Sequence, residues 1–138
     1  MSATEKRILI VDDDADLTAG LAFFLQQHGY TVLVAHDGRE GLRLARMEPP
    51  HLIIMDITMN ERTEGLFTIQ EIRHTPELKD LPVFVLSALY EQTPEFRIAP
   101  DAGWMAHDEF FHKPVDMAQL LERIRRRIGP EVMGEVSA

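Results

Sequence analysis

Ile8-Leu9-Ile10-Val11-Asp12-Asp13-Asp14 sets four consecutive apolar residues directly against three acids. The apolar run is too short for a helix and does not alternate with polar residues. That is the pattern of a strand buried on both faces, the habit of parallel sheets. Residues 30–35, 52–55 and 83–86 repeat it, and Phe110-Phe111 is a shorter fifth instance. Helical spacing fills the intervals. Leu17, Leu21, Phe24, Leu25 and His28 recur every three or four residues after Asp14, and Gly29 ends that helix. Asp37 and Glu40 have capping-box spacing and open a second helix, expected to bury Leu42, Leu44, Ala45 and Met47 before Pro49-Pro50 stops it. Leu66, Ile69 and Ile72 mark a third, closed before Pro76. The last opens at Asp116, carries Met117, Leu120, Leu121, Ile124 and Ile128 on one stripe, and ends at Gly129-Pro130.

Strand and helix therefore alternate along the chain. Parallel strands joined by right-handed helical crossovers give an α/β fold, a doubly wound five-stranded parallel sheet with helices on both faces. The interval from Ala88 to Asp108 fits least well. Thr93-Pro94-Glu95 is a good helix start, but Pro100 and Gly103 arrive early, so the fourth helix is expected to be short or irregular.

A chain of 138 residues suits one domain with a core of its own. Its 14 Lys and Arg against 23 Asp and Glu give a net charge of −9, which disfavours direct binding of nucleic acid. The absence of cysteine excludes disulfides, thiolate metal sites and a cysteine nucleophile, and fits a reducing compartment. The longest apolar stretch, around Leu21 to Leu25, falls far below the roughly 18 residues a membrane span needs. The N-terminal apolar run is cut off by acids, unlike a signal peptide. A cytoplasmic protein without membrane insertion is expected.

In doubly wound sheets, sites form beyond the carboxyl ends of the strands. Asp12, Asp13 and Asp14 follow the first strand, Asp56 the third, Ser87 the fourth and Lys113 the fifth. Asp14 reads as a helix cap. Asp12 and Asp13 alone would pass for turn residues, but Asp56 ends its strand with no turn residue beside it. Three carboxylates around one cleft repel, so they either raise a pKa or bind a cation. Mg²⁺ is typically held by one or two carboxylates, waters and a phosphate oxygen, so the set suggests metal-assisted phosphoryl chemistry, with an aspartate as acceptor through an acyl phosphate. Ser87 and Lys113 would supply a hydroxyl and a cation for the phosphoryl oxygens. Taken singly, each also fits a strand-end hydroxyl and a surface lysine.

With these residues in order, the chain resembles a response-regulator receiver domain of two-component signalling, the CheY-like superfamily. Four stretches carry the resemblance: residues 8–14, Leu52-Ile53-Ile54-Met55-Asp56-Ile57-Thr58-Met59, residues 82–89, and Phe110-Phe111-His112-Lys113-Pro114. It covers residues 6–128 and leaves 129–138 as a C-terminal tail expected to be disordered. The resemblance implies strand order 2-1-3-4-5, that of the family's chemotaxis member. It implies Asp56 as phosphoacceptor, Asp13 as a direct Mg²⁺ ligand, Asp12 as one acting through water, and the Thr58 carbonyl as backbone ligand. Ser87 would be the switch hydroxyl and Phe110 the aromatic that turns inward with it. Lys113 would pair with the phosphoryl group, its bond to Pro114 being cis.

The implied partners are a histidine kinase or phosphotransfer protein and an unknown downstream protein. The chain is then no enzyme beyond catalysing its own phosphoryl uptake and loss. Three departures stand out. Asn60 replaces the usual proline and Glu64-Gly65 follows one residue late, residues 89–110 are longer than usual, and Leu89 stands where a polar residue often sits.

Two rivals belong to other classes. An aspartate-nucleophile phosphohydrolase would use the acid-x-acid pair of residues 12–14 with Ser87 and Lys113, but it leaves Asp56 unexplained and lacks an acidic pair after the lysine. A receiver-like adaptor that is never phosphorylated would have little use for the whole set of acids. The last helix also carries Arg123, Arg125, Arg126 and Arg127, read as a solvated face in preference to a docking patch.

Overall fold

Pleating sends alternate side chains of each buried strand to opposite faces, and the core divides accordingly. The computed structural model describes residues 5–57, 64–87 and 109–129. Its elements run β1 (Arg7–Val11), α1 (Ala15–Gln27), β2 (Thr31–Ala35), α2 (Gly38–Met47), β3 (Leu52–Asp56), α3 (Glu64–Arg73), β4 (Val83–Ser87), β5 (Glu109–His112) and α4 (Met117–Ile128). The five strands form one sheet in the order β2-β1-β3-β4-β5, every pairing parallel. Leu9, Val11, Ile53, Met55, Val83 and Val85 meet Ala45, Ile69 and Ile72 in one apolar layer. Ile8, Ile10, Leu52, Ile54, Phe84 and Leu86 meet Leu21, Leu25, Leu120 and Ile124 in the other. Thus α2 and α3 cover one face, α1 and α4 the opposite one.

Helix starts follow local chemistry. The carboxylates of Asp14, Asp37 and Asp116 each accept from a backbone N–H of the first turn, from Leu17, Glu40 and Gln119 respectively. Glu40 reaches back, as its spacing suggests, but accepts from the N–H of His36, one residue before the cap.

Two expectations are corrected. Strand β2 is half-buried at four of its five positions because it is an edge strand, with a neighbour on one side alone. Met47 is 63% exposed, and Leu42 and Leu44 are half-buried. Helix α2 turns Gly38, Gly41 and Ala45 inward instead. A Cβ at Gly41 would stand 2.8 Å from Val11 Cγ2, so only a bare backbone lets the helix lie this close to β1. The leucines then pack beside the contact, not beneath it.

No helix among the described residues is long and apolar enough to cross a membrane. Thr58, the lengthened segment that follows it, Leu89, the expected short fourth helix and the tail from residue 130 lie outside the described residues.

Candidate functional site

Parallel pairing in this order carries the strand ends to one edge. Val11 stands opposite Met55, so Asp12 and Asp56, each the next residue, emerge side by side from the two central strands. Asp12 is fully buried, Asp56 nearly so, and Asp13 exposed. One carboxylate oxygen from each of Asp12, Asp13 and Asp56 lies within 4.8 Å of the others. On the far side of β4, Lys113 follows β5 and reaches back across the sheet edge. Its Nζ lies 3.2 Å from Asp56 Oδ2 and 3.0 Å from Asp12 Oδ2. Ser87, fully buried, ends β4 between them, and its carbonyl accepts the N–H of Lys113 at 3.1 Å. The Lys113–Pro114 bond is cis.

Asp12 is held from several sides. Its Oδ1 accepts the N–H of Asp14 at 2.9 Å, its own N–H donates to Ala35 O at 3.0 Å, and its carbonyl accepts from His36 Nδ1 at 3.1 Å. Because a carbonyl can only accept, that His36 nitrogen carries the hydrogen. Reading for strand-end acids and cations passes over His36, yet the signal was present, since it directly follows β2 at the same edge.

Burial pushes the Asp12 carboxyl up to about 6. The Asp14 N–H opposes the rise, the Asp56 charge adds to it, and Lys113 opposes it again. For Lys113, burial alone would lower the ammonium pKa, but pairing with Asp12 and the charges of Asp56 and Asp12 outweigh it and hold the group above the usual lysine range. The Lys113 ammonium is shared, bonded to Asp56 Oδ2 and ion-paired at 3.0 Å with Asp12 Oδ2. That oxygen is buried and accepts no hydrogen bond. An anionic oxygen left this way beside two further carboxylates suits a hard divalent cation, and the all-oxygen donor set fits Mg²⁺.

Phe110 is half-buried on β5 against the layer under α2 and α3, with its ring edge-on to His112 at 5.8 Å. Phe111 faces the other layer, against Phe84. The structure thus brings Asp12, Asp13, Asp56, Ser87 and Lys113 to one edge, with Phe110 on the adjoining strand.

The family model for the response regulator receiver domain matches residues 8–125. The chain is 36% identical over 135 residues to response regulator MprA of Mycobacterium tuberculosis, covering 96% of this chain and 56% of that protein. It is 37% identical over 119 residues to response regulator MprA of Mycobacterium ulcerans, covering 86% and 48%. The chain therefore spans about half the length of these curated relatives. Among solved structures, chemotaxis protein CheY4 of Vibrio cholerae is 28% identical with a TM-score of 0.78, over 89% of this chain and 98% of that one. The receiver domain of sensor histidine kinase PA1611 from Pseudomonas aeruginosa PAO1, solved with a magnesium ion coordinated in its active site cleft, is 24% identical with a TM-score of 0.78, over 91% and 98%, a likeness of fold. A family match that runs from β1 into α4, with relatives more than a third identical, makes this chain a response-regulator receiver domain of two-component signalling.

Proposed function

We propose that Asp56 accepts a phosphoryl group from a phosphohistidine on a histidine kinase or phosphotransfer protein. An Asp56 carboxylate oxygen attacks phosphorus, a P–O bond forms as the P–N bond breaks, and the departing imidazole takes up a proton. Asp13, Asp56 and the Thr58 carbonyl, with Asp12 acting through water, would hold Mg²⁺, which when bound would neutralise charge on the transferring group. Lys113 supplies a fixed cation beside the acceptor oxygen and stabilises the charge that accumulates there. The single observation that carries this reading is the convergence of three carboxylate oxygens within 4.8 Å, with the Lys113 ammonium 3.2 Å from Asp56. The magnesium ion in the cleft of the structurally similar receiver domain supports it.

The acyl phosphate adds about 1.5 to 2 negative charges. Ser87 turns toward it, and Phe110 follows inward, altering the surface a downstream protein reads. On this reading the receiver unit is residues 6–128, with 129–138 a tail. It catalyses its own phosphoryl uptake and loss alone, works in the cytoplasm, and binds neither membrane nor nucleic acid through this unit.

Incubation with a small acyl phosphate donor and Mg²⁺, followed by intact mass measurement, tests the assignment. One phosphoryl adduct is expected on the wild type and none on Asp56→Asn. An adduct that survives the substitution overturns it.

A further inference from the structure

On the face away from α1, helices α2 and α3 leave an open groove of about 690 Å³ between them. Two large apolar side chains that the fold leaves in solvent flank it, Met47 at 63% exposure from α2 and Phe67 at 66% from α3. Core packing does not call for Met47 there, because the inward stripe of α2, Gly38, Gly41 and Ala45, already meets the sheet without it. The outward stripe of α2 is also unusual. Arg39, Leu42, Arg43 and Arg46 recur at helical spacing along the groove, so three guanidinium groups line about 10 Å of one wall. Arg43 Nη1 lies 3.3 Å from Met47 Sδ, placing a cation against the exposed thioether. Among the described residues these three arginines form no ion pair, whereas Arg123 and Arg126 on α4 are paired with Glu109 and Glu122. Among the described lining residues Glu71 is the one acid. On a chain of net charge −9, this is a local excess of positive charge around apolar residues.

We propose that this groove is a docking surface, separate from the strand-end carboxylates, for an acidic amphipathic helix of a partner protein. Apolar residues of that helix seat between Met47 and Phe67, and its carboxylates pair with Arg39, Arg43 and Arg46. The geometry matches helix-in-groove recognition, in which anchors three and four residues apart enter a cleft flanked by complementary charge. Charge complementarity selects an acidic occupant, because a basic or neutral helix leaves three guanidinium groups unpaired.

The test uses the full 138-residue chain, isotope-labelled. Two synthetic helical peptides serve as probes, both with leucines at three- and four-residue spacing, one with glutamates on the flanks and the other with lysines. The glutamate peptide is expected to shift the amide resonances of Leu42, Arg43, Met47, Phe67 and Thr68, more weakly as salt rises. Arg43→Glu with Arg46→Glu should weaken it about tenfold or more, and Phe67→Ser comparably. All three positions lie on the surface, and unchanged spectra elsewhere will confirm that the variants fold.

Equal shifts from the lysine peptide would overturn the proposal, as would shifts confined to another face or none up to about millimolar peptide. Two other occupants would also overturn it. A second copy would show as the same shifts appearing with protein concentration alone. The chain's own residues 130–138 would show as the same shifts on their deletion.

Discussion

The Asp12 carboxylate is fully buried, with Asp56 beside it and one ammonium between them. Since burial raises its pKa from 3.8 to about 6, the folded state holds the Asp12 proton more tightly than the unfolded state does. The stabilisation from this group is complete below pH 3.8 and is lost as pH rises through about 6. At neutral pH Asp12→Asn should therefore stabilise the metal-free protein, by roughly 1–3 kcal/mol in urea melts. The same substitution should remove most of the stabilisation that Mg²⁺ gives the wild type, which is about 1.4 kcal/mol at ten times the dissociation constant. A variant that keeps the full Mg²⁺ increment would show that Asp12 plays no part in holding the ion. Lys113→Met should do the reverse. It leaves two buried carboxylates without their cation, so the metal-free protein should lose about 2–4 kcal/mol, and added Mg²⁺ should recover more than it gives the wild type.

At the scale of elements, the contact between α2 and β1 leaves no room for a side chain at Gly41. Gly41→Ala adds up to about 1 kcal/mol of helix propensity. It also drives a methyl to 2.8 Å from Val11, the residue next to Asp12. Overpacking of this kind should win, with a net loss of about 1–3 kcal/mol by chemical denaturation and weakened Mg²⁺ binding. A second joint ties the starts of β1 and β3, where His51 Nδ1 accepts the N–H of Arg7 at 2.9 Å. Burial first, then the charges of Arg7 and Lys6, lower the His51 pKa below 6.5. Stability from this contact is present above pH 6.5 and is lost as pH falls through the lowered value. A His51→Gln variant should show a flatter stability profile below pH 6.5 than the wild type. If the two profiles run parallel, His51 does not titrate against the fold.

These elements also show what a sequence discloses. Asp14, Asp37 and Asp116 could be read as caps because a cap depends on the next three residues alone. Met47 misled because periodicity marks an apolar stripe without saying that glycines will take the inward face. The groove beside it was invisible for the same reason, since Phe67 and Arg43 become neighbours through packing of two helices and not through spacing along either.

For the molecule as a whole, the strand-end acids were legible as a set because any parallel sheet delivers its carboxyl ends to one edge. Which acids would touch was not, because that depends on strand order, and the order followed from family resemblance and not from the runs themselves. Nor did spacing reveal that Lys113 would bridge Asp56, 57 residues earlier, and Asp12 as well. The order in which these contacts can form has a kinetic meaning. Pairing of β1 with β3 is enough to press Asp12, Asp13 and Asp56 together, whereas Lys113 arrives only when β5, an edge strand two places from β3, is in place. Any path that builds the sheet from its centre must therefore cross a stage at which the repulsion is assembled and its protein counter-charge is still absent. Mg²⁺ can stand in for the missing lysine at that stage, so it should speed refolding and leave the unfolding arm of the chevron nearly unchanged. Stopped-flow traces in which Mg²⁺ slows unfolding alone would place the convergence of the acids after the barrier. If refolding is the limb that moves, the chain is helped into shape by the same ion that its finished cleft is suited to hold.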